Sequence, residues 1–179
     1  MTLIAGFGIF FYTLNRIGQE VDTLKKKWKL LILCIVIPLA VGGLSALVTR
    51  GSMDAYSGMN RPPLAPPGWV FPVVWTILFV LMGVASYLVL TSGKDRGAIR
   101  QALRLYGLQL VVNFFWSILF FNLSLCWAAF VWLVLLWGLV LLTLVRFSRI
   151  SGPAGWLLIP YLLWVTFAGY LNLMICALN

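Results

Sequence analysis

The sequence predicts an all-α integral membrane protein, a bundle of five transmembrane helices. Three observations carry that reading. Hydrophobic residues make up 63% of the chain and charged residues 9%, where soluble domains carry roughly 25% charge. Five separate stretches have the length, about 20 mostly apolar residues, that crosses roughly 30 Å of hydrocarbon. Basic residues crowd one set of alternate loops and avoid the other, as they do across a bilayer. A soluble fold of this composition would expose more apolar surface than water tolerates, so the solvent is largely lipid.

The first span runs from Leu30 to about Thr49 and the second from Trp69 to Leu90. The third runs from about Leu103 to Phe121, the fourth from Leu123 to Val145, and the fifth from Ala154 to Leu178. Residues 1–29 read as an N-terminal extension and residues 30–179 as the transmembrane domain. Met1 to Leu14 is apolar but too short to cross unaided. It has no basic n-region and no small-residue cleavage site, so it does not read as a signal peptide. It reads as a surface-lying or loosely ordered extension, or as the product of a start codon placed too early. Asn15 to Lys29 is polar and fits a short helix at the cytoplasmic surface.

With five spans, one side of the membrane holds the N-terminal segment and the loops after spans two and four. That side carries Arg16, Lys25, Lys26, Lys27, Lys29, Lys94, Arg96, Arg100, Arg104, Arg146 and Arg149. The other side holds only Arg50 and Arg61. The positive-inside rule puts the N-terminus in the cytoplasm and the C-terminus outside, in what reads as a bacterial cytoplasmic membrane. The same placement accounts for the net charge of +9 without invoking nucleic acid.

Barely two residues around Asn122 join spans three and four, which makes them antiparallel neighbours. Arg50 to Gly68 is the one long connection. Pro62, Pro63, Pro66 and Pro67 each fix a φ angle there, and such a loop suits a cover over the outer mouth of the bundle.

Histidine is absent, which removes the commonest metal and haem ligand and the commonest general base. Cys34, Cys126 and Cys176 lie far apart in apolar runs and read as small buried hydrophobes rather than as a disulfide or metal site. No metal site and no cofactor are expected, and no acid–base constellation points to hydrolysis.

Among the nine tryptophans, Trp28, Trp69 and Trp156 lie near span ends, where an amphipathic ring favours the interface. Trp75, Trp116, Trp132, Trp137 and Trp164 lie deeper. Any one of them has packing or lipid contact as its default role. Several together in a small bundle suggest an aromatic cavity for a flat apolar ligand. Asn113 sits mid-span, with Gln109 one turn before, Ser117 one turn after and Trp116 on the same face. An amide in hydrocarbon needs a partner, so this face points into the bundle, either to an interhelical hydrogen bond or to a ligand. In the fifth span Trp164 and Ala168 are i,i+4 neighbours, so a large ring stands beside a small gap, which serves a planar ligand or helix packing. Gly42 and Ala46 form a small pair of the same spacing in the first span and read as packing.

Three strings resemble the translocator protein family, whose members are also called tryptophan-rich sensory proteins (TspO) or peripheral benzodiazepine receptors. They are Arg61-Pro-Pro-Leu-Ala-Pro-Pro-Gly-Trp-Val-Phe-Pro-Val-Val-Trp-Thr, Leu110-Val-Val-Asn-Phe-Phe-Trp-Ser-Ile-Leu-Phe-Phe and Pro160-Tyr-Leu-Leu-Trp-Val-Thr-Phe-Ala-Gly-Tyr-Leu-Asn. They occur in the family's order, each on the expected helix, and the resemblance runs from about Leu30 to the end. It implies a compact five-helix bundle, a homodimer, and one pocket beneath the first loop for porphyrins and isoquinoline or benzodiazepine drugs. The family's pocket positions fall on Tyr56, Pro66, Trp75, Phe79, Asn113, Trp164 and Ala168, and Trp116 joins them from its place beside Asn113. Two departures stand out. No basic residue follows Tyr170, so the cholesterol-recognition pattern of animal members is absent and sterol transport is disfavoured. Residues 1–29 have no family counterpart.

The leading functional expectation is a membrane sensor or scavenger that binds porphyrins and other flat apolar ligands, with Arg50 or Arg61 pairing with a propionate. The resemblance, not composition, names that ligand class. A second expectation is light-dependent porphyrin breakdown, linked to some bacterial members, with Trp75 and Trp164 as the indoles that shape or join the oxidation. A third is passive transport of a tetrapyrrole or sterol. Coupled transport is disfavoured because no charged residue lies in the interior of a span and no internal repeat is visible.

Overall fold

The computed structural model describes residues 2–52, 62 and 64–178, and side chains for 25–51, 62 and 64–178. Tyr56 and Arg61, with most of the long loop, lie outside the described residues.

Helix α1 covers Thr2–Thr49, with Lys25–Thr49 as its membrane-crossing part. It runs through Leu30 without a break, so Asn15 to Lys29 is not a separate helix. A short 3-10 turn follows at Arg50–Ser52. Then come α2 (Val70–Leu90), α3 (Arg96–Ser117), a π turn (Ile118–Asn122), α4 (Cys126–Ile150), α5 (Gly152–Trp156) and α6 (Ile159–Leu178). The fifth span is α5 and α6 together, Gly152–Leu178. The five spans expected from hydropathy are all present, and the chain is an integral multi-pass membrane protein. It divides into two compact units, Met1–Leu33 and Cys34–Asn179.

Local chemistry sets the helix ends. Gly93 has φ 70° in the turn before α3, a conformation glycine adopts without steric cost. Asp95 then caps α3, its carboxylate accepting the Ala98 N–H at 2.8 Å. The α3 end widens into the π turn, where the Leu123 N–H reaches the Ile118 carbonyl at 3.1 Å. Ser124, at φ 51°, completes the reversal. Those residues delay α4 to Cys126, three beyond the expected start. Between α5 and α6 the chain restarts at Ile159, with Pro160 in the first turn of α6, where its missing N–H leaves no helix bond unmade.

Fully buried Met82, Ala85, Leu136, Val140 and Phe147 mark the core. Ile32 and Leu47 on α1, and Val131 and Val134 on α4, are exposed apolar side chains suited to acyl chains rather than water. On α2, Gly83 lies against the α1 backbone. A Cβ there would stand 2.6 Å from Ile35 Cα and 2.8 Å from the Cys34 carbonyl oxygen. Gly42 on α1 meets the Phe79 ring in the same way, which agrees with its reading as a packing residue.

The cysteine reading needs correction at two of three positions. Cys34 is a buried free thiol, but Cys126 and Cys176 form a disulfide with Cα atoms 5.5 Å apart. Spacing hid the pair, because the partners are 50 positions apart. The antiparallel course of α4 and α6 brings the start of one to the end of the other.

Candidate functional site

A cavity of about 310 Å³ opens between α1, α2 and α3 in the half of the bundle nearest the long loop. Its α1 wall is made by Leu39, Val41, Gly42, Gly43, Ser45, Ala46 and Thr49. Phe71, Pro72, Trp75, Thr76 and Phe79 line it from α2, and Asn113, Phe114, Trp116, Ser117 and Phe121 from α3 and the π turn. The α1 wall is mostly small residues and the facing walls carry most of the rings.

The rings brace one another. Trp75 stacks on Phe79 with centroids 5.5 Å apart and meets Tyr161 edge-on at 6.1 Å. Trp116 stacks on Phe120 at 5.6 Å. Behind them lies a buried polar relay. The Asn113 amide donates to the Tyr161 hydroxyl at 2.8 Å, and that hydroxyl donates to Gln109 Oε1 at 2.8 Å. Asn113 therefore makes an interhelical bond and also lines the cavity. The Gln109 amide ends the relay on Met82 Sδ at 3.7 Å.

Trp116 leads in another direction. Its indole N–H lies 3.4 Å from Asn172 Oδ1, and the Asn172 amide donates to the Cys126 carbonyl at 3.1 Å. The same amide is 3.3 Å from Cys176 Sγ. A short polar chain thus joins the cavity wall to the disulfide.

Of the expected pocket positions, Trp75, Phe79, Asn113 and Trp116 converge on this cavity. Trp164 stands one ring behind, edge-on to Phe71 at 6.0 Å, and its buried indole N–H has no partner among the described residues. Ala168 is 7% exposed and packed in the core. Neither it nor Pro66 is a lining residue. The other deep indoles act as ties between helices. Trp132 donates to the Val112 carbonyl and Trp137 to Thr166 Oγ1, each at 2.8 Å.

Sequence reasoning missed most of the α1 wall and Tyr161. Gly42 and Ala46 were visible only as a small-residue pair. Tyr161 stood inside a quoted motif with nothing local to mark its hydroxyl as the bridge between Gln109 and Asn113.

A family model of the TspO/MBR family matches residues 34–178. The chain belongs to the TspO/MBR family. It is 43% identical over 150 residues to the tryptophan-rich protein TspO of Chlorobaculum tepidum, covering 83% of this chain and 95% of that protein. It is 36% identical over 142 residues to the translocator protein of Bos taurus, covering 76% and 82% of the two. Protein CrtK of Rhodobacter capsulatus is 33% identical over 138 residues, covering 77% and 85%. The part of the chain that matches the TspO/MBR family lies entirely within the Cys34–Asn179 unit.

Proposed function

We propose that this protein is a membrane sensor or scavenger that binds porphyrins and other flat apolar ligands, isoquinoline and benzodiazepine-type drugs among them. The observation that carries the reading is the cavity itself. Its lining brings together the rings of Trp75, Phe79 and Trp116, with Asn113 as a polar residue among them. About 310 Å³ lies at the small end of the range of roughly 300–1,000 Å³ for ligand sites. A drug-sized ring system fits inside, and a tetrapyrrole extends through the open mouth toward Arg50, in the turn that follows the lining residue Thr49. A propionate there meets a basic residue.

The proposed orientation keeps the N-terminus in the cytoplasm and the cavity mouth outside. The disulfide supports it independently of charge counting. Cys126 and Cys176 lie at the end of the bundle that the positive-inside count assigns to the exterior. Disulfides persist in oxidising compartments and are rare in the cytoplasm. A homodimer belongs to the same reading and rests on family likeness.

The test is a titration of tryptophan fluorescence in detergent with protoporphyrin, a sterol and an isoquinoline drug. Saturable quenching by protoporphyrin and the drug, lost in Trp75→Ala, is the expected result. Quenching by the sterol alone overturns the ligand class.

A second reading is light-dependent porphyrin breakdown. Trp75 favours it, because its indole lines the cavity where a photosensitiser would lie. Loss of porphyrin absorbance under illumination, slowed in Trp75→Phe, supports breakdown. Absorbance that persists under light leaves binding as the function.

A further inference from the structure

At the opposite end of the bundle from the disulfide, Arg96, Arg100 and Arg104 lie four residues apart along the start of α3, on one face. All three are exposed. An open groove of about 490 Å³ runs between them and the end of α2, floored by Leu90, Ile99 and Leu103.

Charge asymmetry across the membrane explains why basic residues sit on this side. It does not explain why three converge on one apolar groove. Arg146 and Arg149, at the end of α4, serve the same asymmetry and do not line that groove.

The electrostatics of the helix sharpen the point. The first turn of α3 holds no acidic residue, although a helix N-terminus favours negative charge. Arg96 stands at its first position, where a cation is disfavoured. The nearby Asp95 carboxylate is engaged in capping the helix at Ala98. Among the described residues no carboxylate pairs with the three guanidinium groups. The three guanidinium groups therefore stand open to an anion beside the groove.

We propose that this groove binds the headgroup of an anionic phospholipid of the cytoplasmic leaflet. Its phosphate lies among Arg96, Arg100 and Arg104, and the start of an acyl chain lies along Leu90, Ile99 and Leu103. A guanidinium matches a phosphate with two parallel N–H donors. The groove lies where two spans end, at headgroup depth. Free phosphate would satisfy the arginines but leave the apolar floor empty, which is why a lipid is the occupant.

The experiment places the full chain in nanodiscs of phosphatidylcholine doped with phosphatidylglycerol and counts lipids retained in native mass spectrometry. The expected result is selective retention of phosphatidylglycerol by the wild type, unchanged by millimolar inorganic phosphate. Arg96→Gln/Arg100→Gln/Arg104→Gln should weaken retention roughly 100-fold, at about tenfold or less per side chain. Arg146→Gln/Arg149→Gln should retain the lipid. Equal loss in the two variants overturns the site in favour of diffuse charge. Full displacement by inorganic phosphate overturns the lipid as occupant. If the triple variant fails to fold, Arg100→Gln carries the same comparison at smaller amplitude.

Discussion

On one side of the cavity, α3, α4 and α6 are joined by directional bonds. These are the Asn113–Tyr161–Gln109 relay, the indole bonds of Trp132 and Trp137, Asn172 on the Cys126 carbonyl, and the disulfide. On the other side, the Cys34–Thr49 part of α1 meets α2 by close contact at Gly42 and Gly83. The hydrogen bond from Asn122 Nδ2 to the Val48 carbonyl, 3.1 Å, links α1 to the end of the π turn. In lipid, apolar contact between helices gains little over contact with acyl chains, so directional bonds and tight fit decide which interfaces are stiff. The difference teaches that the α3 wall fixes the shape of the slot, while the α1 wall is the side able to give when a ligand enters.

The largest effect expected from breaking the stiff side is loss of the disulfide. Cys176→Ser removes a link across 50 positions and should cost about 3 kcal/mol, within the usual range for such loops. Thermal unfolding in detergent should show it, and added reductant should lower the wild type to the same point. Ligand affinity should change less than about threefold, because neither cysteine lines the cavity. Collapse of affinity with no change in melting temperature would reverse the assignment of the stiff wall.

Gly83→Val attacks the soft side. Its side chain would enter the backbone of Cys34 and Ile35, so α1 must move away, at about 2 kcal/mol. Here affinity should fall together with stability, because α1 is a cavity wall. Parallel ligand titration and thermal unfolding on this variant and on Cys176→Ser compare the two sides directly.

Ala168→Phe sharpens the boundary between them. Ala168 is buried on α6 and is not a lining residue, so the added ring should lower stability by about 1–2 kcal/mol and affinity only secondarily. A stable variant that has lost ligand would instead extend the site to α6. The smallest effect belongs to Tyr161→Phe. It deletes the hydroxyl between Asn113 and Gln109 and should cost about 1 kcal/mol, since interhelical hydrogen bonds in membranes are individually modest. Thermal unfolding reads it.

The five spans were legible because hydropathy asks only for length and composition. Their ends were less so. The third span begins at Arg96 rather than near Leu103, since a long basic side chain tolerates the interface while its backbone is already helical. In the site, Asn113 and Trp116 could be found from one helix face, Trp75 from its depth in the second span, and Phe79 only from the pocket positions that the family resemblance implies. The α1 wall was not legible, because Ser45, Ala46 and Thr49 are small residues in an apolar run with nothing to distinguish a cavity lining from a helix contact. The disulfide was invisible for a different reason. Its two cysteines meet only once α4 and α6 are paired.

The central claim is that ligand sits between α1, α2 and α3, and Ala46→Phe tests it most directly. Ala46 lines the cavity from the soft wall and is not part of the core, so a phenyl ring there fills the slot without overpacking a helix contact. Protoporphyrin binding, followed by the porphyrin's own fluorescence, should weaken at least about tenfold, the equivalent of roughly 1.4 kcal/mol, with the melting temperature unchanged. Wild-type affinity in a stably folded Ala46→Phe variant would contradict the account and move the ligand elsewhere.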